Sequence, residues 1–223
     1  MAMVEGTVNV CFHGIGRPRR ELEPGEDHFW ITEDTFRRVL DFAVHRPDIG
    51  LSFDDGNESD ATIGLPALLQ RGLTATFYPL AGRLGARGSL DHHAVRELAA
   101  SDMTVGTHGW RHQSWAAMPP EEVSRELVEA RSVIAAAAGT PVEDAALPMG
   151  RYDRRTLGRL RALGYRSVAT SDRRMIRGTP WLRPRFSITA SDTVDTLAAT
   201  LAAATSTRRI LRGEVVGLVK RFR

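Results

Sequence analysis

The residues Leu51-Ser52-Phe53-Asp54-Asp55-Gly56-Asn57 place two adjacent carboxylates at the end of a short apolar run, directly before a glycine. Adjacent acids repel each other and lose solvation when they are buried together. A fold that keeps them at a strand end therefore usually needs them, most simply to bind a cation. Asp and Gly are also standard turn residues, so this stretch taken alone favours a plain turn. The other strand ends must decide between the two interpretations.

The composition is that of a globular domain. The chain has 223 residues, of which 42% are hydrophobic and 26% charged, and this length suits one α/β domain. Cys11 is the single cysteine, which excludes an intrachain disulfide and fits a reducing compartment. The net charge of +3, without an aromatic-basic pattern, gives no support for nucleic-acid binding. No signal peptide is visible, and no apolar run approaches the length of a membrane span.

Short β-like runs alternate with helical stretches along the chain. Seven such alternations predict parallel strands joined by helical crossovers, in a closed or nearly closed barrel, with an open doubly wound sheet as the alternative. No G-x-G-x-x-G sequence follows an early strand, so a dinucleotide-binding fold has little support. The predicted strands are Val8–Phe12, Ile49–Phe53, Leu73–Leu80, Met103–Thr107, Ala145–Pro148, Arg166–Thr170 and Leu182–Ile188.

The segments between these strands carry helix signals. Four candidate N-caps precede apolar residues at helical spacing: Thr32, Asp60, Asp91 and Asp153. Pro119-Pro120 opens a longer predicted helix that stops at Gly139. These helices are the crossovers that parallel strands require.

Polar candidates cluster where the predicted strands end. Because sites in barrels and open α/β sheets are built at the carboxyl ends of strands, we expect these residues to share one face. The candidates are His13, Asp54, Asp55, His108, His112, Met149, Arg151, Tyr152, Arg183 and Arg185.

The sequence His108-Gly109-Trp110-Arg111-His112 places two histidines four residues apart. On one turn or in a tight loop both imidazoles can reach one ion. Two histidines and one carboxylate leave positions open for water, as in a catalytic metal site. The pair alone is weak evidence, but together with Asp54-Asp55 it favours a metal site over a plain turn.

Phe53-Asp54-Asp55-Gly56 and His108–His112 resemble the first two motifs of the polysaccharide deacetylases, the NodB-homology domains of carbohydrate esterase family 4. The resemblance covers roughly His13 to Ile188. It implies a distorted (β/α)7 barrel in one domain, residues 1–205. It also implies metal-dependent hydrolysis of the N-acetyl group of an amino sugar, which gives a free amine and acetate.

The resemblance also implies roles for single residues. Asp54 matches the family's general base, and Asp55, His108 and His112 match the ligands of one divalent ion. Zn²⁺ suits these ligands best, although Co²⁺, Ni²⁺ or Mn²⁺ would also bind. Leu147-Pro148-Met149-Gly150 matches the third motif in part, so the backbone N–H of Met149 would help to hold the oxyanion. Arg185 aligns loosely with an arginine of the fourth motif.

Three positions depart from the family pattern. Gly109 stands where Ser or Thr is usual, so a hydrogen bond that orients the ligands is in question. Ala146 stands where the third motif has an arginine, and Arg151 or Arg185 is a candidate to replace its charge beside Asp54. The late Leu-x-His motif is absent, which leaves His13 as the candidate general acid. A hydrogen-bonded structural histidine is the alternative for His13.

The substrate is less defined than the reaction. Trp110, Trp115 and Tyr152 are candidates for stacking on a sugar, or else they belong to the packed core or its rim. With no export signal visible, we expect a cytoplasmic location and a soluble nucleotide sugar, a biosynthetic glycoside or a lipid-linked sugar as substrate. Two other functions stay open. One is hydrolysis of an amide or imide in a non-sugar substrate, and the other is an inactive metal-binding domain used for recognition.

The C-terminal tail, residues 206–223, differs in composition from the rest. Apolar residues at helical spacing alternate there with basic ones, against the single acid Glu214. It is either a last helix packed on the barrel or a surface for anionic lipid or a partner, which would give peripheral contact at the inner face of a membrane. The basic residues are Arg208, Arg209, Arg212, Lys220, Arg221 and Arg223, and the apolar ones are Leu211, Val215, Leu218 and Phe222.

Overall fold

The computed structural model describes residues 7–176 and 180–204, so the tail from 206 to 223 lies outside the described residues. Nine strands and six α-helices follow one another in this part of the chain. In order they are β1 Val8–Phe12, β2 Gly14–Ile15, β3 Trp30–Ile31, α1 Glu33–Val44, β4 Ile49–Asp55, α2 Leu65–Leu69, β5 Thr76–Pro79, α3 His92–Ala100, β6 Thr104–Val105, α4 Ala130–Ala138, β7 Asp144–Ala146, α5 Arg154–Ala162, β8 Ser167–Thr170, β9 Leu182–Ser187 and α6 Val194–Ala204.

Seven strands form one parallel sheet in the order β6-β5-β4-β1-β9-β8-β7. The two ends of this sheet meet at Thr107, which pairs in parallel with Ala145. The N–H of Thr107 donates to the carbonyl oxygen of Asp144 at 3.0 Å, and the N–H of Ala146 donates to that of Thr107 at 2.9 Å. The sheet is therefore a nearly closed (β/α)7 barrel, and the open doubly wound alternative is wrong.

Five of the seven barrel strands are shorter than the sequence predicts, two of them by three residues or more. Leu73–Leu80 is reduced to Thr76–Pro79, and Met103–Thr107 to Thr104–Val105. In both cases the first residues still belong to the end of the preceding helix. The N–H of Leu73 donates to the carbonyl oxygen of Leu68 at 3.0 Å, and the N–H of Met103 to that of Leu98 at 3.1 Å. These bonds satisfy terminal helix carbonyls and delay the start of the strand.

A second, two-stranded parallel sheet joins β2 to β3 and was not predicted from the sequence. The two strands are only two residues long, too short for a recognisable alternation. A Cβ atom at Gly14 would collide with the ring of Trp30, so this pairing requires glycine. Residues 16–29 connect the two strands on the carboxyl-end side of β1.

Three of the four predicted helix caps are confirmed. Asp60 is instead the first residue of a π turn, Asp60–Gly64, and its carboxylate accepts from the N–H of Asn57 at 3.1 Å. The side chain of Thr32 accepts from the N–H of Thr35 at 3.1 Å, Asp91 from Ala94 at 2.7 Å, and Asp153 from Thr156 at 2.7 Å. The long predicted helix does end at Gly139, which has φ 74°. Its first part is irregular, with a 3-10 turn at Pro120–Glu122 and a π turn at Arg125–Glu129 before α4 begins.

Alternate residues of the strands face two different environments. Val8, Val10 and Phe12 of β1 belong to the apolar core between barrel and helices. The residues between them, Asn9 and Cys11, belong to a largely polar barrel interior. Arg185 has carboxylate, hydroxyl and aromatic partners in that interior. Members of the same interior set are Ser52, Asp54, Thr76, Tyr78 and Arg183. Within the described residues no helix combines the length and the apolar character needed to cross a bilayer.

Candidate active site

Asp55, His108 and His112 come together at the carboxyl ends of β4 and β6. Nε2 of His108 and Nε2 of His112 each lie 3.7 Å from Oδ1 of Asp55. Two tetrahedral ligands bound at about 2.0–2.1 Å from one Zn²⁺ are separated by about 3.4 Å, so this spacing fits one shared ion. Oδ1 of Asp55 is buried and has no hydrogen-bond partner in the described structure, which leaves it available as a ligand.

The end of β4 turns sharply to present Asp55. Asp55 has φ 73° and Gly56 has φ 71°, both in the left-handed region. Asp tolerates this region better than most residues do, but the conformation still costs free energy. A Cβ at Gly56 would lie 2.7 Å from Cβ of Pro79, so glycine is required here for contact with β5 as well. The turn predicted from Asp54-Asp55-Gly56 is therefore present, and it serves the site.

Both histidines are held through their other ring nitrogen. Nδ1 of His108 lies 2.9 Å from the carbonyl oxygen of Ala146, and Nδ1 of His112 lies 2.7 Å from Oε2 of Glu23. A carbonyl and a carboxylate only accept, so each Nδ1 donates and each Nε2 keeps its lone pair toward Asp55. This arrangement is typical of metal-binding histidines.

Glu23 was not identified from the sequence. It lies in the segment between β2 and β3, 89 residues from His112, and nothing local marks it. Its second oxygen forms an ion pair with Arg83. In the same segment Arg20 forms an ion pair with Glu26. The segment is thus fixed against the barrel by charge pairs and reaches directly to a candidate ligand.

Glu126 is a second residue near the histidines that was not predicted. Its carboxylate is fully buried and accepts from the backbone N–H groups of Trp110 at 2.9 Å and Arg111 at 3.1 Å. It also accepts from Nε1 of Trp115 at 3.3 Å. A detectable signal was present, because Glu126 occupies the apolar face of its predicted helix, three residues after Val123 and four before Ala130. A charge in that position needs partners.

Gly109 is explained by Glu126. It has φ 88°, and a Cβ there would overlap Oε2 of Glu126 and lie 2.9 Å from the ring of Trp115. The serine or threonine usual in the family has no room at this position. The hydrogen bonds that order the loop between the two histidines come from Glu126 instead, so the departure at Gly109 does not leave the loop unsupported.

Asp54 on β4 pairs with Arg185 on β9. NH1 of Arg185 donates to Oδ1 of Asp54 at 2.6 Å and NH2 donates to Oδ2 at 2.7 Å, with both side chains buried. Burial raises the pKa of Asp54, but the charge of Arg185 outweighs it and brings the pKa below the usual range. Arg185, not Arg151, therefore supplies the positive charge beside Asp54, while Ala146 packs against Tyr78 and Ala169.

Burial and neighbouring charges shift the pKa values of the two histidines in opposite directions. Burial lowers the pKa of His108 to about 4, so His108 is neutral near pH 7 and suited to bind a cation. Burial also lowers the pKa of His112, but Asp55 and Glu23 outweigh it, and the net pKa is raised. For Asp55, burial raises the pKa, and the nearby histidines, first His13, bring it below its ordinary value.

His13 lies in the same group. Its Nδ1 is buried without a hydrogen-bond partner in the described part of the chain, and its ring packs on Phe29 at 4.9 Å between centroids. Ligand-type atoms of Cys11, His13 and Asp54 lie within 4.8 Å of one another. The hydrogen-bonded structural role considered for His13 lacks the hydrogen bond at Nδ1.

The remaining candidates divide into rim and core. Met149 is 55% exposed in a tight turn with φ 56°, Arg151 is exposed, and Trp110 is half-buried. These three lie on loops that follow β6 and β7, on the face that carries the histidines.

Two aromatic candidates do not present a surface. Trp115 is fully buried in the second apolar core, and its Nε1 binds Glu126. Tyr152 is 6% exposed in the same core, with its hydroxyl donating to Asp172 at 2.8 Å. Both side chains are buried, which favours core packing, the alternative to sugar stacking for Trp115 and Tyr152.

Comparison with known proteins agrees with this geometry. Residues 43–168, more than half of the chain, match the family model described as polysaccharide deacetylase. YxkH of Bacillus subtilis (strain 168) is 21% identical over 122 residues, which are 55% of this chain and 44% of that protein. The chain thus matches less than half the length of this curated relative.

Solved structures share the fold at low sequence identity. A Streptococcus pyogenes deacetylase, PplD, in complex with acetate superposes with a TM-score of 0.73 at 18% identity, covering 87% of this chain and 97% of that one. IcaB from Ammonifex degensii gives 0.70 at 19% identity, covering 91% and 98%. The BA0330 protein from Bacillus anthracis gives 0.74 at 18% identity, covering 87% and 68%.

Proposed function

From the premise that this chain belongs to the polysaccharide deacetylase family, we propose that it is a metal-dependent deacetylase of N-acetylated amino sugars. The products are a free amine and acetate. The observation that carries the proposal is the pairing of two groups at one barrel mouth. Asp55, His108 and His112 present three unshared ligand atoms, and Asp54 stands beside them with its charge compensated by Arg185.

The donor set fits a divalent ion. Two imidazole nitrogens and one carboxylate oxygen suit Zn²⁺ first, and Co²⁺, Ni²⁺ or Mn²⁺ next. When bound, such an ion lowers the pKa of a water molecule and polarises the acetyl carbonyl. Asp55, His108 and His112 would hold it, and Glu23 and the carbonyl of Ala146 would keep the two rings in place.

The chain's own groups divide the proton transfers. Asp54 is ionised under ordinary conditions and accepts the proton of the attacking water. Arg185 keeps Asp54 charged and fixed in direction. The backbone N–H of Met149 donates to the oxyanion, a type of contact whose loss typically costs about 10²–10³-fold in rate. His13 donates a proton to the departing amine.

The decisive experiment measures acetate release from a panel of N-acetyl sugars before and after treatment with a strong chelator. We expect release to stop on chelation and to return with Zn²⁺ or Co²⁺, and release that survives complete metal removal would exclude the metal role. Asp54→Asn should still bind the ion but lose turnover. His13→Ala at a rate near that of the unchanged protein would remove His13 as the acid.

The same panel separates the alternatives. Small cyclic amides and imides in parallel test the non-sugar hydrolase, since that enzyme would open their rings to a carboxylate and would release no acetate from sugars. An inactive recognition domain would bind a sugar and hydrolyse nothing. Two departures from the family pattern suggest inactivity, the alanine at position 146 and the absence of a late histidine. Arg185 supplies a charge beside Asp54 in place of the first, and the second is what this experiment tests.

We also propose a cytoplasmic location with peripheral contact of residues 206–223 at an anionic membrane face. The support is the excess of positive charge in this segment, which has six basic residues and one acid. Deletion of the segment should abolish co-sedimentation with vesicles that contain phosphatidylserine. Equal binding of the full chain and the truncated chain would exclude this contact.

A further inference from the structure

Four exposed arginines lie on the loops around the candidate metal centre and have no acidic partner in the part of the chain that the structure describes. Arg17 lies in the segment between β2 and β3, Arg87 between β5 and α3, Arg111 after β6 and Arg151 after β7. Among the described residues no carboxylate lies within 4.0 Å of their guanidinium groups. Each of these loops leaves the carboxyl end of a barrel strand or of its immediate continuation, so the four charges belong to the face that carries the histidines.

Backbone contacts bring these loops close to the reacting groups. Arg111 directly precedes His112, and Arg151 follows Met149 by two residues. The loop of Arg87 is held against the end of β4, where the N–H of Glu58 donates to the carbonyl oxygen of Gly88 at 3.0 Å. A Cβ at Gly88 would lie 2.9 Å from the backbone of Arg19, so the loops of Arg17 and Arg87 pack against each other.

The acids of this face are mostly committed to other contacts. Glu23 binds His112 and Arg83, Glu26 binds Arg20, and Glu58 binds Arg19. Asp153 caps α5 and accepts from the N–H of Ala117 at 2.7 Å. Glu21 and Asp27, in the segment between β2 and β3, are exposed and uncommitted among the described residues of that segment. Of the exposed charges named here that have no ion-pair partner among the described residues, four are arginines and two are acids.

We propose, on the basis of the deacetylation proposed above, that the substrate carries a phosphate ester or pyrophosphate beside its acetylated sugar, and that Arg17, Arg87, Arg111 and Arg151 bind it. A neutral glycan gives no reason for four guanidinium groups around the site that lack a carboxylate partner among residues 7–176 and 180–204. A phosphate offers several peripheral oxygens to donors that come from different directions, and arginine forms strong charge-assisted hydrogen bonds with them.

The test compares substrates that differ in charge but share the N-acetylglucosamine unit. Acetate release is measured with UDP-N-acetylglucosamine, with N-acetylglucosamine linked through pyrophosphate to a short isoprenoid, and with neutral chitotriose. We expect kcat/KM to be at least about 10-fold higher for one of the phosphate-linked substrates than for chitotriose. That preference should fall as NaCl rises from about 25 to about 250 mM, since exposed charges are screened.

The arginines are tested by the ratio of kcat/KM between the preferred phosphate-linked substrate and chitotriose. Arg17→Gln with Arg87→Gln should lower this ratio about 10-fold, mainly through KM, and Arg111→Gln with Arg151→Gln should lower it further. Arg38→Gln is the matched control, because Arg38 is exposed on α1, away from the site, and pairs with Asp34. It should leave the ratio unchanged.

The outcomes separate the two proposals. Acetate release with equal kcat/KM for charged and neutral substrates, or a ratio that the arginine variants do not change, overturns the phosphate site and leaves the deacetylase proposal standing. If no acetylated sugar releases acetate, the proposed function fails. Which of the two phosphate-linked substrates is preferred identifies the source of the phosphate as a nucleotide or a lipid.

Discussion

Arg185 contacts Asp54 across the barrel interior through two hydrogen bonds of 2.6 and 2.7 Å, although 131 residues separate them in the chain. Both side chains are almost completely buried. NH1 of Arg185 also donates to the hydroxyl of Ser52 at 3.2 Å, and its guanidinium lies 5.3 Å from the ring centre of Tyr78. Asp54 on β4 is therefore held by a side chain from β9, and β1 lies between these two strands in the sheet.

Arg185→Met should destabilise the protein by about 3–5 kcal/mol at pH 7, because it leaves the Asp54 charge buried without a partner. Asp54 now has a lowered pKa, so its contribution to stability is complete above the unfolded value of about 3.9 and is lost as pH falls below it. In the variant, burial raises the pKa of Asp54 instead. The difference in unfolding free energy should therefore shrink between pH 7 and pH 4, measured by urea unfolding.

Asp54→Asn in the Arg185→Met background is the control for this prediction. Removing the charge should recover part of the lost stability. If the double variant is no more stable than Arg185→Met, the loss comes from packing and not from the buried charge.

Gly109→Ala should weaken both stability and metal binding. The new Cβ meets Glu126 and Trp115 at a residue with φ 88°, so the loop between the two histidines must shift. Gly139→Ala is a matched control, since Gly139 has φ 74° but open space around it. We expect about 1 kcal/mol of backbone strain in the control and about 2 kcal/mol more in Gly109→Ala.

Calorimetric titration with Zn²⁺ completes this comparison. The control should bind Zn²⁺ like the unchanged protein, and Gly109→Ala should bind it at least about 10-fold more weakly. Equal affinities would mean that the contact of Glu126 with the loop does not position His108 and His112.

Glu23→Gln should lower the affinity for Zn²⁺ by about 10–100-fold. The carboxylate of Glu23 accepts from Nδ1 of His112 and helps to raise the pKa of that ring, and an amide does both less well. Glu21→Gln changes the same charge in the same segment at an exposed position and should have little effect. If both variants bind Zn²⁺ alike, Glu23 is a surface contact without influence on the site.

Cys11 should react with a thiol reagent only when the protein opens. The side chain is fully buried in β1, and burial raises the pKa of its thiol far above the usual range. Because Cys11 is the single cysteine, labelling with a chromogenic disulfide reports on one site. The native rate should be about 10³-fold or more below the rate in urea, and comparable rates would show that the barrel interior is open to reagent.

Local sequence patterns predicted the parts of the molecule that local chemistry determines. The N-caps at Thr32, Asp91 and Asp153 are present, and the seven barrel strands occur where β-like runs were found. Asp55 and the two histidines converge because parallel strands end on one face. In contrast, the two-residue strands β2 and β3 are held by pairing and by the contact of Gly14 with Trp30, which no periodicity reveals.

The partners of the site residues could not be predicted in the same way. Glu23 and His112 lie 89 residues apart, and their contact depends on how a connecting segment returns to the barrel. The sequence leaves open whether Arg151 or Arg185 lies beside Asp54, because the answer depends on which of the two side chains enters the barrel interior next to β4. Glu126, in contrast, can be predicted as a buried, hydrogen-bonded residue, because a carboxylate on an apolar helix face needs a partner.

The contact between Arg185 and Asp54 has a consequence for how relatives are classified. A survey that infers catalytic competence from an arginine at the position of Ala146 would classify this chain as inactive. The physical requirement is a guanidinium against the candidate base, and here Arg185 of β9 lies in that position while β7 carries an alanine. Catalytic competence in this family is better judged by which side chains lie close to the candidate base in three dimensions than by the residue at one position of a sequence alignment.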